Sequence, residues 1–161
     1  RNPMTAKKDT SVHVRRGAAV LALVGTFAIA YAGGAAAGSA SSAIGITSVI
    51  NGQKFENQAV VNVTPSTDKG YGTAKVRGRS SVPAGNMGAR ARLYTSAGAL
   101  VKQSSVVYTT STYSANTWFS VNTATANLTN GTKYYSQGTS YHWNGSSYVT
   151  YTTFKSPTAT S

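Results

Sequence analysis

The chain has 161 residues, with 15 Lys and Arg against 3 Asp and Glu, a net charge of +12 and no cysteine. Without thiols there is no disulfide framework and no cysteine metal site, so stability has to come from packing and sheet hydrogen bonds. The scarcity of carboxylates and histidines argues against acid-base chemistry, and the cationic excess makes contact with an anionic partner the first expectation.

Residues 1–43 have the three-part layout of a secretory signal peptide. Lys7, Lys8, Arg15 and Arg16 form a cationic lead-in, an apolar run follows from Gly17 through Tyr31, and small residues close the segment. Two cleavage points satisfy the small-x-small requirement, after Ala37 and after Ala43, and the sequence does not separate them. A permanent membrane helix needs about 20 predominantly apolar residues; Gly25, Thr26, Gly33 and Gly34 dilute this stretch, which makes a retained anchor the weaker alternative. Arg15-Arg16 hints at twin-arginine export, yet Ala follows where more apolar residues are expected, so general secretion is the better reading. The leader touches a membrane only in transit. An Ala-rich leader ahead of a Thr/Ser/Asn/Tyr-rich body suits an exported bacterial protein, and Asn-x-Ser/Thr sequons such as those at Asn62, Asn127 and Asn144 carry little weight there.

Beyond the leader roughly 120 residues remain, enough for one domain with one core. Setting aside the five basic residues and Asp9 ahead of the apolar run leaves ten basic residues against Glu56 and Asp68. Residues 44–57 read as a first strand or a mobile arm able to add a strand to a partner. Residues 58–64 are β-branched and stop at Pro65, which cannot donate to a sheet ladder. Residues 72–80 alternate, with Ala74, Val76 and Gly78 opposite Lys75, Arg77 and Arg79, and residues 89–93 repeat the scheme with Arg90 and Arg92 outward. A longer strand is expected over 99–110, another over 114–125 with Trp118, Phe119 and Val121, and a final hairpin over 135–154 turning at Asn144-Gly145. Residues 156–161 read as a frayed tail.

Leu128, Gly131 and Tyr134, in Leu-Thr-Asn-Gly-Thr-Lys-Tyr, resemble the tyrosine corner of immunoglobulin-like sandwiches, especially fibronectin type III domains. The resemblance covers about 30 residues and implies that the Tyr134 hydroxyl bonds back to nearby backbone; the antibody-type cysteine pair is missing. With no helical periodicity after the leader, the expected fold is all-β: an immunoglobulin-like antiparallel sandwich of about six to eight strands spanning residues 58–155. A fold of this kind implies no function.

Two constellations stand out. If the strands around Val76 and Ala91 pair, Lys75, Arg77, Arg79, Arg90 and Arg92 gather on one face with no carboxylate among them, forming an anion-binding surface or simply a solvated face that discourages aggregation. In the final hairpin Tyr135, Tyr141, Trp143, Tyr148 and Phe154 share one face, and Tyr134, His142, Val149 and Tyr151 the other. Burial of an aromatic ring is worth several kcal/mol at about 25 cal/mol per Å², which favours the first set as core. The alternative is an exposed platform for sugar rings centred on Trp143 with Tyr141 and Tyr148. Glu56, Asp68 and His142 show no catalytic or metal-ligand spacing.

The sequence therefore points to a secreted, non-catalytic binding module without a cofactor. Its expected partner is an anionic cell-envelope polymer or an exported protein, with nucleic acid made secondary by export. A small cationic antimicrobial or toxin-like protein and a carbohydrate-binding module are the alternatives.

Overall fold

The computed structural model describes residues 38–161; residues 1–37 of the expected leader, with its apolar run and expected helix, lie outside them, while its last residues, 38–43, are described and include a strand. The fold is all-β and sandwich-like, built from three antiparallel sheets. In chain order the strands are β1 (Ser39–Ser41), β2 (Gly45–Ile50), β3 (Gln53–Thr64), β4 (Lys69–Gly78), β5 (Met87–Arg90), β6 (Arg92–Thr95), β7 (Leu100–Gln103), β8 (Val107–Tyr108), β9 (Phe119–Asn122), β10 (Ala126–Asn127), β11 (Lys133–Ser136), β12 (Thr139–Trp143), β13 (Tyr148–Thr152) and β14 (Ala159–Thr160).

One layer is a six-stranded sheet around the long β3–β4 hairpin. The segment read as strand or arm is a strand: β2 turns at Asn51 and Gly52, both at positive φ, into β3. Pro65 ends β3 as expected and opens a single 3-10 turn, Pro65–Thr67, before β4. β1 and β2 occupy one edge of β3, while β9 and β10 occupy the far edge of β4.

The second layer is made of two four-stranded sheets placed end to end, β14-β11-β6-β7 and β13-β12-β5-β8. They share a kink, because β5 and β6 are separated only by Ala91, and β11 and β12 only by Gln137 and Gly138. The same kink divides the expected long strand over 99–110 into β7 and β8. With this interruption and the short edge strands of the first layer, the described residues hold fourteen strands where about six to eight were expected. The expected frayed tail is instead strand β14, paired to β11, with Ala159 and Ser161 buried.

The layers meet over two clusters of apolar side chains. One gathers Phe55, Val76, Met87 and Val121, the other Val61, Leu93, Leu128 and Tyr134. Met87 and Leu93 are completely buried, each worth about 1.5–3 kcal/mol of transfer free energy. At the resembled corner the Thr129 amide donates to the Tyr134 phenol oxygen at 2.8 Å, the backbone contact expected of that tyrosine. Within the first cluster the interface also contains small residues, Ala74, Ala89 and Ala91, and the layers approach closely. A Cβ on Gly72 would lie 2.7 Å from the Arg92 carbonyl oxygen, so only glycine fits there.

The expected pairing of the strands around Val76 and Ala91 does not occur. Both edges of β4 are already taken, by β3 and by β9 with β10, so residues 87–95 stack across the sandwich from β4. Ala74, Val76, Ala89 and Ala91 do face the core. Their charged neighbours consequently point to opposite outer surfaces.

Candidate functional site

On the outer face of the six-stranded sheet, Glu56 lies directly across from Arg77 and is buried. Arg77 reaches its Oε2 through Nε at 2.8 Å and Nη2 at 2.7 Å, and Arg79 reaches Oε1 through Nη2 at 2.5 Å. Burial pushes the Glu56 carboxyl up, but hydrogen bonds and charge from Arg77 and Arg79 outweigh it and hold the group below the usual carboxylate range. The basic face is thus not free of carboxylate: Glu56, distant in sequence from both arginines, occupies its middle. Trp118 closes the other side, with the Arg77 guanidinium carbon 4.4 Å and the Lys75 ammonium 5.3 Å from its ring.

Further along this face a row of side chains crosses four strands. Ser39 donates to Asn62 at 2.8 Å, Asn62 to Thr73 at 3.2 Å, and Thr73 to Asn122 at 2.8 Å. These groups satisfy one another above a shallow groove that Tyr71 and Lys75 also line.

The opposite outer face carries Arg90 and Arg92 together with the aromatic side chains. Tyr141 and Tyr108 flank Gly88 from its two neighbouring strands, and their rings meet edge-on at 6.0 Å. Tyr148 packs on Tyr108 at 4.4 Å and on Trp143 at 5.1 Å, and its hydroxyl donates to the Gly85 carbonyl at 2.6 Å. Burial, reinforced by Tyr148 and Tyr141, pushes the Tyr108 phenol up, and Arg90 partly counters it. Arg92 donates to Gln103 and Thr139, while Tyr94 stacks on Tyr135 with Lys155 over the Tyr135 ring.

The expected inward face of the final hairpin is therefore the outward one. Of that face only Tyr135 is buried, stacked on Tyr94; Tyr141, Trp143 and Tyr148 are half-buried and Phe154 is 58% exposed, whereas Ser140 and His142 on the other face are buried completely. The two-fold alternation along β12 and β13 was legible; its sense was not. The outward rings recover part of their burial by packing on one another.

Inside, His142 Nε2 lies 3.0 Å from Ser140 Oγ, which accepts from Asn57 Nδ2 at 2.9 Å and donates to the Tyr151 carbonyl. The ring rests on Phe55 at 4.2 Å, and burial pushes its pKa down to about 4, so it is neutral at pH 7. Sequence reasoning missed this network because Asn57 and Ser140 lie 83 residues apart. It has no surface opening through its own residues, since Asn57, Ser140 and His142 are each at most 2% exposed. Asp68 accepts a hydrogen bond from Ser161, far from Glu56 along β4.

Of the expected site residues, the fold keeps Lys75, Arg77 and Arg79 on one surface and brings Arg90 and Arg92 together with Tyr141, Tyr148 and Trp143 on the other. Tyr108, Trp118 and the Tyr94–Tyr135 stack were not singled out. For Trp118 a signal existed, because inward Phe119 and Val121 force their odd-even neighbour outward. No protein-family model matches the chain, and neither does any curated protein sequence.

Proposed function

We propose that the chain is an exported, non-catalytic binding module of immunoglobulin-like type that holds an anionic cell-envelope polymer on the outer face of its second layer. The observation that carries this reading is the distribution of charge. Both carboxylates of the described residues lie away from that face, and Glu56 is taken up by Arg77 and Arg79. Arg90 and Arg92 face outward among tyrosines and Trp143 with no acid beside them. Cations fix the position of phosphate or carboxylate groups, and half-exposed rings take up the apolar faces of the repeating units between them. The Tyr134 corner supports the immunoglobulin-like assignment, and the cationic, apolar and small-residue order of residues 1–43 supports export.

The test is retention of the full chain on teichoic acid and on neutral dextran across a salt series. Retention on the anionic polymer alone, falling with salt and weakened by combined Arg90→Gln and Arg92→Gln, is the expected result. Equal retention by Lys69→Gln with Lys133→Gln serves as the control. Salt-independent retention would reject the reading, and leakage of anionic vesicles would favour a membrane-active protein.

A further inference from the structure

At one end of the sandwich a cavity of about 230 Å³ opens between the β2–β3 turn, the loop that leads into β5, and the end of β12. Its apolar wall is Ile50, Phe55, Val82, Pro83 and Trp143, and its polar groups are Asn51, Gln53, Ser81 and Asn86. No charged side chain lines it, although ten Lys and Arg lie in the described residues.

The cavity is braced from all sides. Gln53 donates to the Ser80 carbonyl at 3.2 Å, the amide and carbonyl of Val82 both pair with Tyr113, and the Trp143 amide donates to the Asn86 carbonyl at 2.9 Å. The carboxamides of Asn51 and Asn86, by contrast, have no hydrogen-bond partner among the described residues. Two free amides beside an indole, in a site without charge, describe a ligand that is neutral, hydroxylated and flat on one side. The volume falls below the 300–1,000 Å³ usual for drug-sized ligands, which limits the occupant to a single ring. Val82, Pro83 and Ile50 add an apolar corner suited to a methyl group.

We propose that this cavity binds one neutral pyranose bearing an acetamido substituent. The indole of Trp143 stacks on the C–H face of the ring, the Asn51 and Asn86 amides pair with hydroxyls and the acetamido group, and its methyl enters the apolar corner. The site adjoins the anionic-polymer surface and shares Trp143 with it.

Trp118→Phe leaves Trp143 as the sole indole reporter. Titrating that full-length chain with N-acetylglucosamine should change its emission saturably, with no dependence on salt, and shift the Asn86 side-chain amide signals in NMR. Glucose, lacking the acetamido group, should bind at least about tenfold more weakly. Asn86→Ala should lower affinity by about tenfold, as should Asn51→Gly, which keeps the left-handed turn intact. An absent response, an equal response to glucose, or undiminished affinity in both variants would overturn the proposal. Because this binding is salt-independent and polymer retention is salt-dependent, either reading can fail without the other.

Discussion

A Cβ on Gly138 would lie 2.5 Å from the Cβ of Ala74 and 2.6 Å from the Arg90 carbonyl oxygen. Gly138 sits in the kink of the second layer, pressed on β4, and this contact sets the spacing of the sandwich. Gly138→Ala is therefore expected to cost about 1–3 kcal/mol through overpacking. Urea denaturation measures it; an unchanged midpoint would show that the layers can separate freely here.

Arg77 and Arg79 share Glu56 but differ in exposure, with side chains 18% and 48% accessible. Removing Arg77 leaves a buried carboxylate short of its principal partner, so Arg77→Ala should cost about 3 kcal/mol. Arg79→Gln should cost less, about 1 kcal/mol, because nearly half of the Arg79 side chain is in solvent and Gln can still donate toward Glu56. Equal losses from the two variants would contradict the asymmetry. Binding experiments that neutralise Arg77 thus need a stability control, whereas Arg90 and Arg92 carry no ion pair in the described residues.

His142 sets an acid dependence whose sign follows from burial. Its folded pKa is lowered to about 4 from an ordinary 6.5, so between those values the unfolded chain binds the extra proton and stability falls as pH falls. The loss begins near pH 6.5, approaches roughly 3 kcal/mol, and levels off below the folded value. Glu56, held below its ordinary range, contributes a separate loss that starts only below about 4.5. In unfolding measurements from pH 7 to 4.5, His142→Leu should remove most of the slope and Glu56→Gln little of it. A slope unaffected by His142→Leu would assign the acid sensitivity elsewhere.

Export, if it proceeds through removal of the leader, should leave Gly38 as the first residue. Gly38 accepts from the Val63 amide at 3.0 Å, β1 pairs with residues 60–62, and the Ser42 amide donates to Ala59 at 2.8 Å. Cleavage after Ala43 would strip this edge from β3, whereas cleavage after Ala37 preserves it. Intact-mass measurement of the exported protein decides between them, and a chain starting at Ile44 would count against the assignment.

Local chemistry alone determined much of this protein. The alternation along β4, β12 and β13, the stops at Pro65 and Asn51-Gly52, and the corner at Tyr134 follow from side-chain period and backbone restriction, which act over a few residues. Which face of the final hairpin turns inward was decided only by tertiary structure, whereas Ala74, Val76, Ala89 and Ala91 face the core as their pattern implies. The layer spacing depends on Gly72, Ala74 and Gly138 meeting their opposite neighbours, and the register of β12 against β5 and β13 turns Tyr141 and Trp143 outward while enclosing His142. The division of the cations was likewise beyond the sequence. It required β3 and β9 to claim both edges of β4, and it required Glu56 to arrive between Arg77 and Arg79 from another strand, contacts between residues too distant along the chain for any local pattern to record.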